Sequence, residues 1–104
     1  AMGVLGRELG TEAGKLAAKW CAVNVLAAIR NSLGGFDQLR RIVKITVFVA
    51  STQEYTEQHL VANGASDFLV AALGERGEHA RSAVGVAVLP MNAPVEIEAV
   101  LEVE

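Results

Sequence analysis

Charged residues in the last quarter of the chain interrupt stretches that are otherwise largely apolar. Arg81 opens A-R-S-A-V-G-V-A-V-L, and Glu96 and Glu98 sit two residues apart inside V-E-I-E-A-V-L. A guanidinium is a planar fork of donors that matches the two oxygens of a carboxylate, so Arg81 is a candidate carboxylate-binding group. On base rates, an arginine at a strand start is more often a solvated end residue or an ion-pair partner. The spacing of the glutamates puts both on one strand face with Val100, and Val95, Ile97 and Ala99 on the other. A carboxylate at an interface can position a water or move a proton, its affinity for protons set by desolvation against a nearby arginine. A solvated sheet edge would give the same alternation with no chemistry.

The other reactive residue types offer less. His59 and His79 are the two histidines and lack metal-ligand spacing. His79, in a charged loop beside Arg81, is the more interesting, although a loop histidine is ordinarily solvated. Cys21, the single cysteine, falls in a helical pattern with no base nearby, which describes a packed thiol rather than a nucleophile. Ser82 has no nucleophile-elbow context, and Gly74 and Gly77 are not followed by the G-K-[ST] of a phosphate loop.

Composition narrows the classes further. Net charge is −3, and Arg40, Arg41 and Lys44 are too few to follow a phosphate backbone, so no nucleic acid is expected. One cysteine permits no intrachain disulfide, and a reducing, cytoplasmic setting is the default. No apolar run approaches the roughly 20 residues of a spanning helix, so no membrane is expected. The start of the chain lacks a signal-peptide profile, and Ala1-Met2 resembles a tag junction.

These residues need elements to position them. The 104 residues suffice for one domain, and a hydrophobic content of 52% suits a chain whose apolar surface is finished by other subunits. Residues 3–10 are Gly-punctuated and read as a connection. A helix over 11–33 follows, with Thr11 as its cap and Gly34-Gly35 as its stop. Its apolar stripe runs through Leu16, Trp20, Val23 and Ala27, widened by Leu26, Ile29 and Leu33. Residues 41–50, R-I-V-K-I-T-V-F-V-A, form the clearest strand. It carries Val43, Ile45, Val47 and Val49 on a face that helices must cover, and Ile42, Lys44, Thr46 and Phe48 on the other.

A second helix runs from Tyr55 or Thr56 to Leu73. Its interior run Asn63-Gly64-Ala65-Ser66 is a poor helix former, of the kind kept for a close backbone approach. Strand, helix, strand in this order makes 41–50 and 81–89 parallel neighbours with a right-handed crossover. The turn L-P-M-N-A-P then lays 95–103 antiparallel to 81–89, as a closing hairpin. The result is a mixed sheet with two helices on one face, and its open edges and face invite a partner.

The wording of this last quarter, H-A-R-S-A-V-G-V-A-V-L-P-M-N-A-P-V-E-I-E-A-V, resembles the signature of the Rid family, also called YjgF-type or L-PSP endoribonuclease-like proteins. The upstream V-K-I-T-V-F-V-A and V-A-N-G-A-S-D-F-L resemble its divergent L-PSP-like branch, and the likeness spans nearly the whole chain as one domain. The resemblance implies an α/β (α+β), chorismate-mutase-like fold and a homotrimer whose sheets form a barrel with clefts between subunits. It implies hydrolysis of small carboxylate-bearing enamines and imines to 2-keto acids and ammonia, without metal or organic cofactor. By motif, Arg81 would hold the substrate carboxylate, Glu96 would orient or activate water, the Ala83 N–H would face the bound carboxylate, and Asn63 would line the cleft. Glu98 would be structural. Two departures stand out. The deaminase branch commonly has cysteine where this chain has Ala83, and family members begin with a β-hairpin that this chain does not show. Those departures leave open a non-catalytic trimer that binds small carboxylates. An endoribonuclease, the older family description, is a third reading that the acidic balance disfavours.

Overall fold

The computed structural model describes residues 2–104, so Ala1, half of the suspected tag junction, lies outside them. Helix α1 spans Thr11–Leu33, strand β1 Leu39–Ala50, helix α2 Gln58–Leu73, strand β2 Ala80–Val86 and strand β3 Val95–Val103. Single 3-10 turns at Gly74–Gly77 and Pro90–Asn92 join the later elements.

The sheet has the order β2-β1-β3. β1 and β2 are parallel, as the strand–helix–strand order requires. β3 runs antiparallel to β1, from Val49↔Val95 to Leu39↔Val103, and does not touch β2. The closing hairpin expected from the sequence is therefore a crossover. The β2 strand stops at Val86 rather than residue 89, and residues 87–94 carry the chain past the end of β1. Met91 and Asn92, both with φ near +60° (60° and 56°), turn the chain back there, and the Ala50 N–H donates to the Pro94 carbonyl (2.9 Å). The physical reason is the composition of β1. A strand this long and apolar gains most at the sheet centre, where both edges are paired and one face is covered.

Ile45, Val47 and Val49 are fully buried beneath the helices. Ile42 is buried as well, although strict alternation would set it beside exposed Lys44. Register shifts between Leu39/Arg41 and between Ile42/Lys44 are β-bulges, and each extra residue reverses the facing of what precedes it. The uncovered face carries the rows Ser82–Thr46–Glu98 and Val84–Phe48–Glu96, with Lys44 and Val100 beyond them.

The two helices pack through small residues. Gly14, Ala18, Ala22 and Ile29 of α1, with Val61, Ala62, Ala65 and Leu69 of α2, are buried. A Cβ on Gly64 would lie 2.1 Å from the Lys15 carbonyl oxygen, so only glycine allows the helices to come this close. That accounts for half of the N-G-A-S run. Leu16 and Trp20, at the head of the expected apolar stripe, are instead 55% and 57% exposed. The backbone contact at Gly64 needs a face of glycine and alanine, which turns the bulky residues outward.

Thr11 does not cap α1. The N-cap is Gly10, and the Thr11 Oγ1 pairs with the Tyr55 hydroxyl (2.6 Å) and donates to Glu57 Oε1 (2.5 Å). Gly34 closes the helix in the left-handed region, as expected. Residues 3–10 are more than a connection: Leu5 is fully buried in the main core, its N–H donates to the Ala50 carbonyl (2.8 Å), and its carbonyl accepts from Thr52 (3.1 Å). Among the described residues no helix is long and apolar enough to cross a membrane.

Candidate functional site

Arg81 is in register with Ile45, whose side chain points toward the helices, so Arg81 also leaves the sheet on that side. It reaches α2. Its Nη1 donates to Asn63 Oδ1 (2.8 Å) and to Ser66 Oγ (3.1 Å), and its Nη2 donates to the His59 carbonyl (3.2 Å). His59, Asn63 and Ser66 recur at the three- and four-residue spacing of one helix face. The N-G-A-S run thus divides its work. Gly64 and Ala65 face the packed interior, while Asn63 and Ser66 present oxygen to β2.

Every partner of Arg81 is neutral. The ion pairs among the described residues are Arg7–Glu8, Lys15–Glu12 and Arg41–Glu102, and none includes Arg81. Its three hydrogen bonds come from Nη1 and Nη2, which leaves the Nε–H and one Nη2–H without a protein partner among the described residues. A half-buried cation with free N–H donors is suited to receive a carboxylate.

The network extends beyond Arg81. Ser66 Oγ lies 2.8 Å from His79 Nε2, and His79 Nδ1 lies 2.5 Å from the Gly77 carbonyl oxygen. A carbonyl can only accept, so Nδ1 carries the hydrogen. In the neutral ring Nε2 then accepts from the Ser66 hydroxyl, which in turn accepts from Arg81. Gly77 is needed for this placement: a Cβ there would sit 2.2 Å from the Leu69 carbonyl oxygen, so the turn presses against α2 and aims its own carbonyl at the ring. Ser66, Val70, Glu78, His79 and Arg81 line one open cavity. The sequence singled out His79, and Ser66 only as part of the N-G-A-S run kept for close approach, not as a polar partner. A serine inside a helix gives no signal until the strand opposite it is known.

Ala83 follows Arg81 by one pleat on edge strand β2, its methyl packed against the core. Glu96 lies elsewhere. It pairs with Phe48 on the uncovered face, exposed, with Glu98 beside it opposite Thr46. Of the residues singled out in the sequence, one chain brings Arg81 and Asn63 together. It holds Glu96 apart from them, on the opposite face and beyond β1. Cys21 donates to the Val95 carbonyl (3.4 Å), and burial, aided by the Glu96 carboxylate, pushes its thiol above the usual range. That is the packed thiol the sequence suggested. Among the described residues no three His, Cys, Asp or Glu side chains group to hold a metal.

A mixed three-stranded sheet backed on one face by two helices is an α+β domain of the chorismate-mutase-like type. The chain belongs to the Endoribonuclease L-PSP family, the YjgF/Rid superfamily, whose profile matches residues 4–103. It is 48% identical over 101 residues to Protein TCP17 of Trypanosoma cruzi, covering 96% of this chain and 63% of that protein. It superimposes on the crystal structure of Atu1372 from Agrobacterium tumefaciens, a protein of unknown function, with a TM-score of 0.97 and 48% identity over 99% of this chain and 66% of that one. A Shewanella oneidensis protein provisionally described as an endoribonuclease shares the fold alone, with a TM-score of 0.94 at 24% identity over 98% of this chain and 68% of that one. The chain thus spans less than two-thirds of the length of TCP17.

Proposed function

We propose that the protein is a Rid-type deaminase that hydrolyses small 2-enamine and 2-imine acids to 2-keto acids and ammonia, acting as a homotrimer. The observation that carries this reading is the guanidinium of Arg81, fixed by three neutral acceptors with two donors and its charge unspent. The substrate carboxylate binds to those free donors, with Asn63 holding the guanidinium in place. An enamine substrate first becomes the imine, its C3 taking a proton as its nitrogen loses one; water then adds to the C=N carbon while the nitrogen takes a proton. Collapse of the resulting carbinolamine expels ammonia and leaves the 2-keto acid. Glu96 accepts the proton of the attacking water. Since Arg81 and Glu96 lie on opposite faces of one sheet, the glutamate in each cleft is supplied by a neighbouring subunit, and the uncovered sheet face is the surface that meets it. The test is keto-acid release from enzymatically generated 2-aminoacrylate. Turnover is expected in the parent and at least a tenfold loss in Arg81→Ala. Parental activity in that variant would remove Arg81 from the mechanism.

A second reading is a non-catalytic trimer that binds small carboxylates. It is favoured by Ala83, a packed methyl where the deaminase branch commonly has cysteine. Saturable binding of a short 2-keto acid without turnover would select it. RNA cleavage by the pure protein would instead favour the activity for which the family is named.

A further inference from the structure

We propose that Ser66 and His79 are positioning residues for Arg81 and make carboxylate capture proton-coupled: an anion on the guanidinium and a second proton on His79 favour each other. This rests on the reading of Arg81 as the carboxylate receptor and adds a residue pair to which no role has been assigned.

The geometry defines a chain of four groups. The Gly77 carbonyl accepts from His79 Nδ1, His79 Nε2 accepts from the Ser66 hydroxyl, and Ser66 Oγ accepts from Arg81 Nη1. The Gly77 carbonyl fixes the neutral ring as the Nδ1–H form, because it cannot donate. The one hydrogen of Ser66 is committed in this state: it goes to the imidazole, while one of the two oxygen lone pairs accepts from the guanidinium. When Nε2 takes a proton from solvent, the Ser66 bond must reverse. Nε2–H now donates to Oγ, whose second lone pair still serves Arg81, and the hydroxyl hydrogen is released toward the cavity. Two changes then act on a bound carboxylate. A second positive charge stands one hydroxyl away from the guanidinium, and a new donor faces the ligand. Without an anion the two cations repel each other; with one they share it.

The charged groups facing His79 fit this coupling. Arg81 faces it from β2 through Ser66 of α2, and Glu78 of its own segment lines the same cavity. Lys44 of β1, in register with Ala80, lies exposed at the other face of the sheet. Glu78 forms no ion pair with Arg81 or His79 among the described residues, which leaves the guanidinium open to an anion from outside.

The probe is pyruvate, whose carboxylate stays ionised across the histidine range. In the parent, its affinity is expected to rise roughly three- to tenfold between about pH 8 and pH 5.5, the size of a charge–charge term attenuated by solvent. His79→Gln should flatten that profile. Ser66→Ala should weaken binding and shrink the slope, with Ser66→Thr, which keeps the hydroxyl, restoring both. Arg81→Ala should not bind at any pH. By reciprocity, pyruvate binding should be accompanied by proton uptake that calorimetry in two buffers reads and His79→Gln abolishes, and the neutral ring should show hydrogen on Nδ1 by NMR. A parental slope in His79→Gln, or a neutral ring with hydrogen on Nε2, would overturn the coupling. Parental binding in Arg81→Ala would instead overturn the carboxylate reading beneath it, so the two failures are separable.

Discussion

At the residue scale, what distinguishes Arg81 is the company it keeps. An arginine meant for stability usually meets a carboxylate; this one meets an amide, a hydroxyl and a main-chain carbonyl. Lysine retains the charge but loses the fork. Arg81→Lys is therefore expected to lose at least tenfold in carboxylate affinity while its thermal midpoint stays within a few degrees of the parent, which calorimetry and ligand titration would separate. Asn63→Ala should raise KM more than it lowers kcat, because it loosens the fork without touching the reacting bond. Cys21 offers a contrasting prediction. Its thiol is held above the usual range by burial and by Glu96, so iodoacetamide should alkylate it more slowly than an exposed cysteine at neutral pH, and Glu96→Gln should speed the reaction. Arg81 itself was legible in the sequence as a charge out of place. Its partner Ser66 was not, because a helix serine becomes informative only once β2 is laid against it.

At the scale of elements, the alternation of V-E-I-E-A-V-L-E-V and the Gly34 stop marked β3 and α1 to the residue, since period and cap are local signals. The order of strands is not local. An apolar β1 could have sat at an edge or at the centre, and only the summed burial of its two sides decides. The bulges at the start of β1 were equally hidden, and they send Ile42 inward against the simple alternation. Gly64 was legible as a residue kept for close approach, and the structure gives the reason in the Lys15 carbonyl. Gly64→Ala should cost about 2–4 kcal/mol in chemical denaturation, well beyond the intrinsic propensity gain of alanine, because backbone must move to admit the methyl. It should also disturb the carboxylate site, since Asn63 and Ser66 flank it. Glu8 gives a pH-dependent prediction. The Val4 N–H, with Arg7, holds its carboxyl below the usual range, so its contribution is present at neutral pH and fades as pH falls through the lowered value. Glu8→Gln should therefore reduce stability at neutral pH and match the parent in acid.

At the scale of the whole molecule, the proposed trimer accounts for a sheet with one bare face and for the separation of Arg81 from Glu96 across it. Val84 and Val100 are exposed on that face beside Phe48, and in the proposed homotrimer another subunit would cover them. Phe48→Glu should lower the oligomeric state in sedimentation while leaving the helical signal intact. The most direct test of the shared site is complementation. Arg81→Ala and Glu96→Gln chains, each inactive alone on 2-aminoacrylate, should regain about a quarter of parental turnover when co-expressed, because in mixed symmetric oligomers that fraction of clefts draws an intact arginine and an intact glutamate from different subunits. Full activity in either variant alone, or none in verified mixed oligomers, would contradict a carboxylate site built from Arg81 of one chain and Glu96 of another.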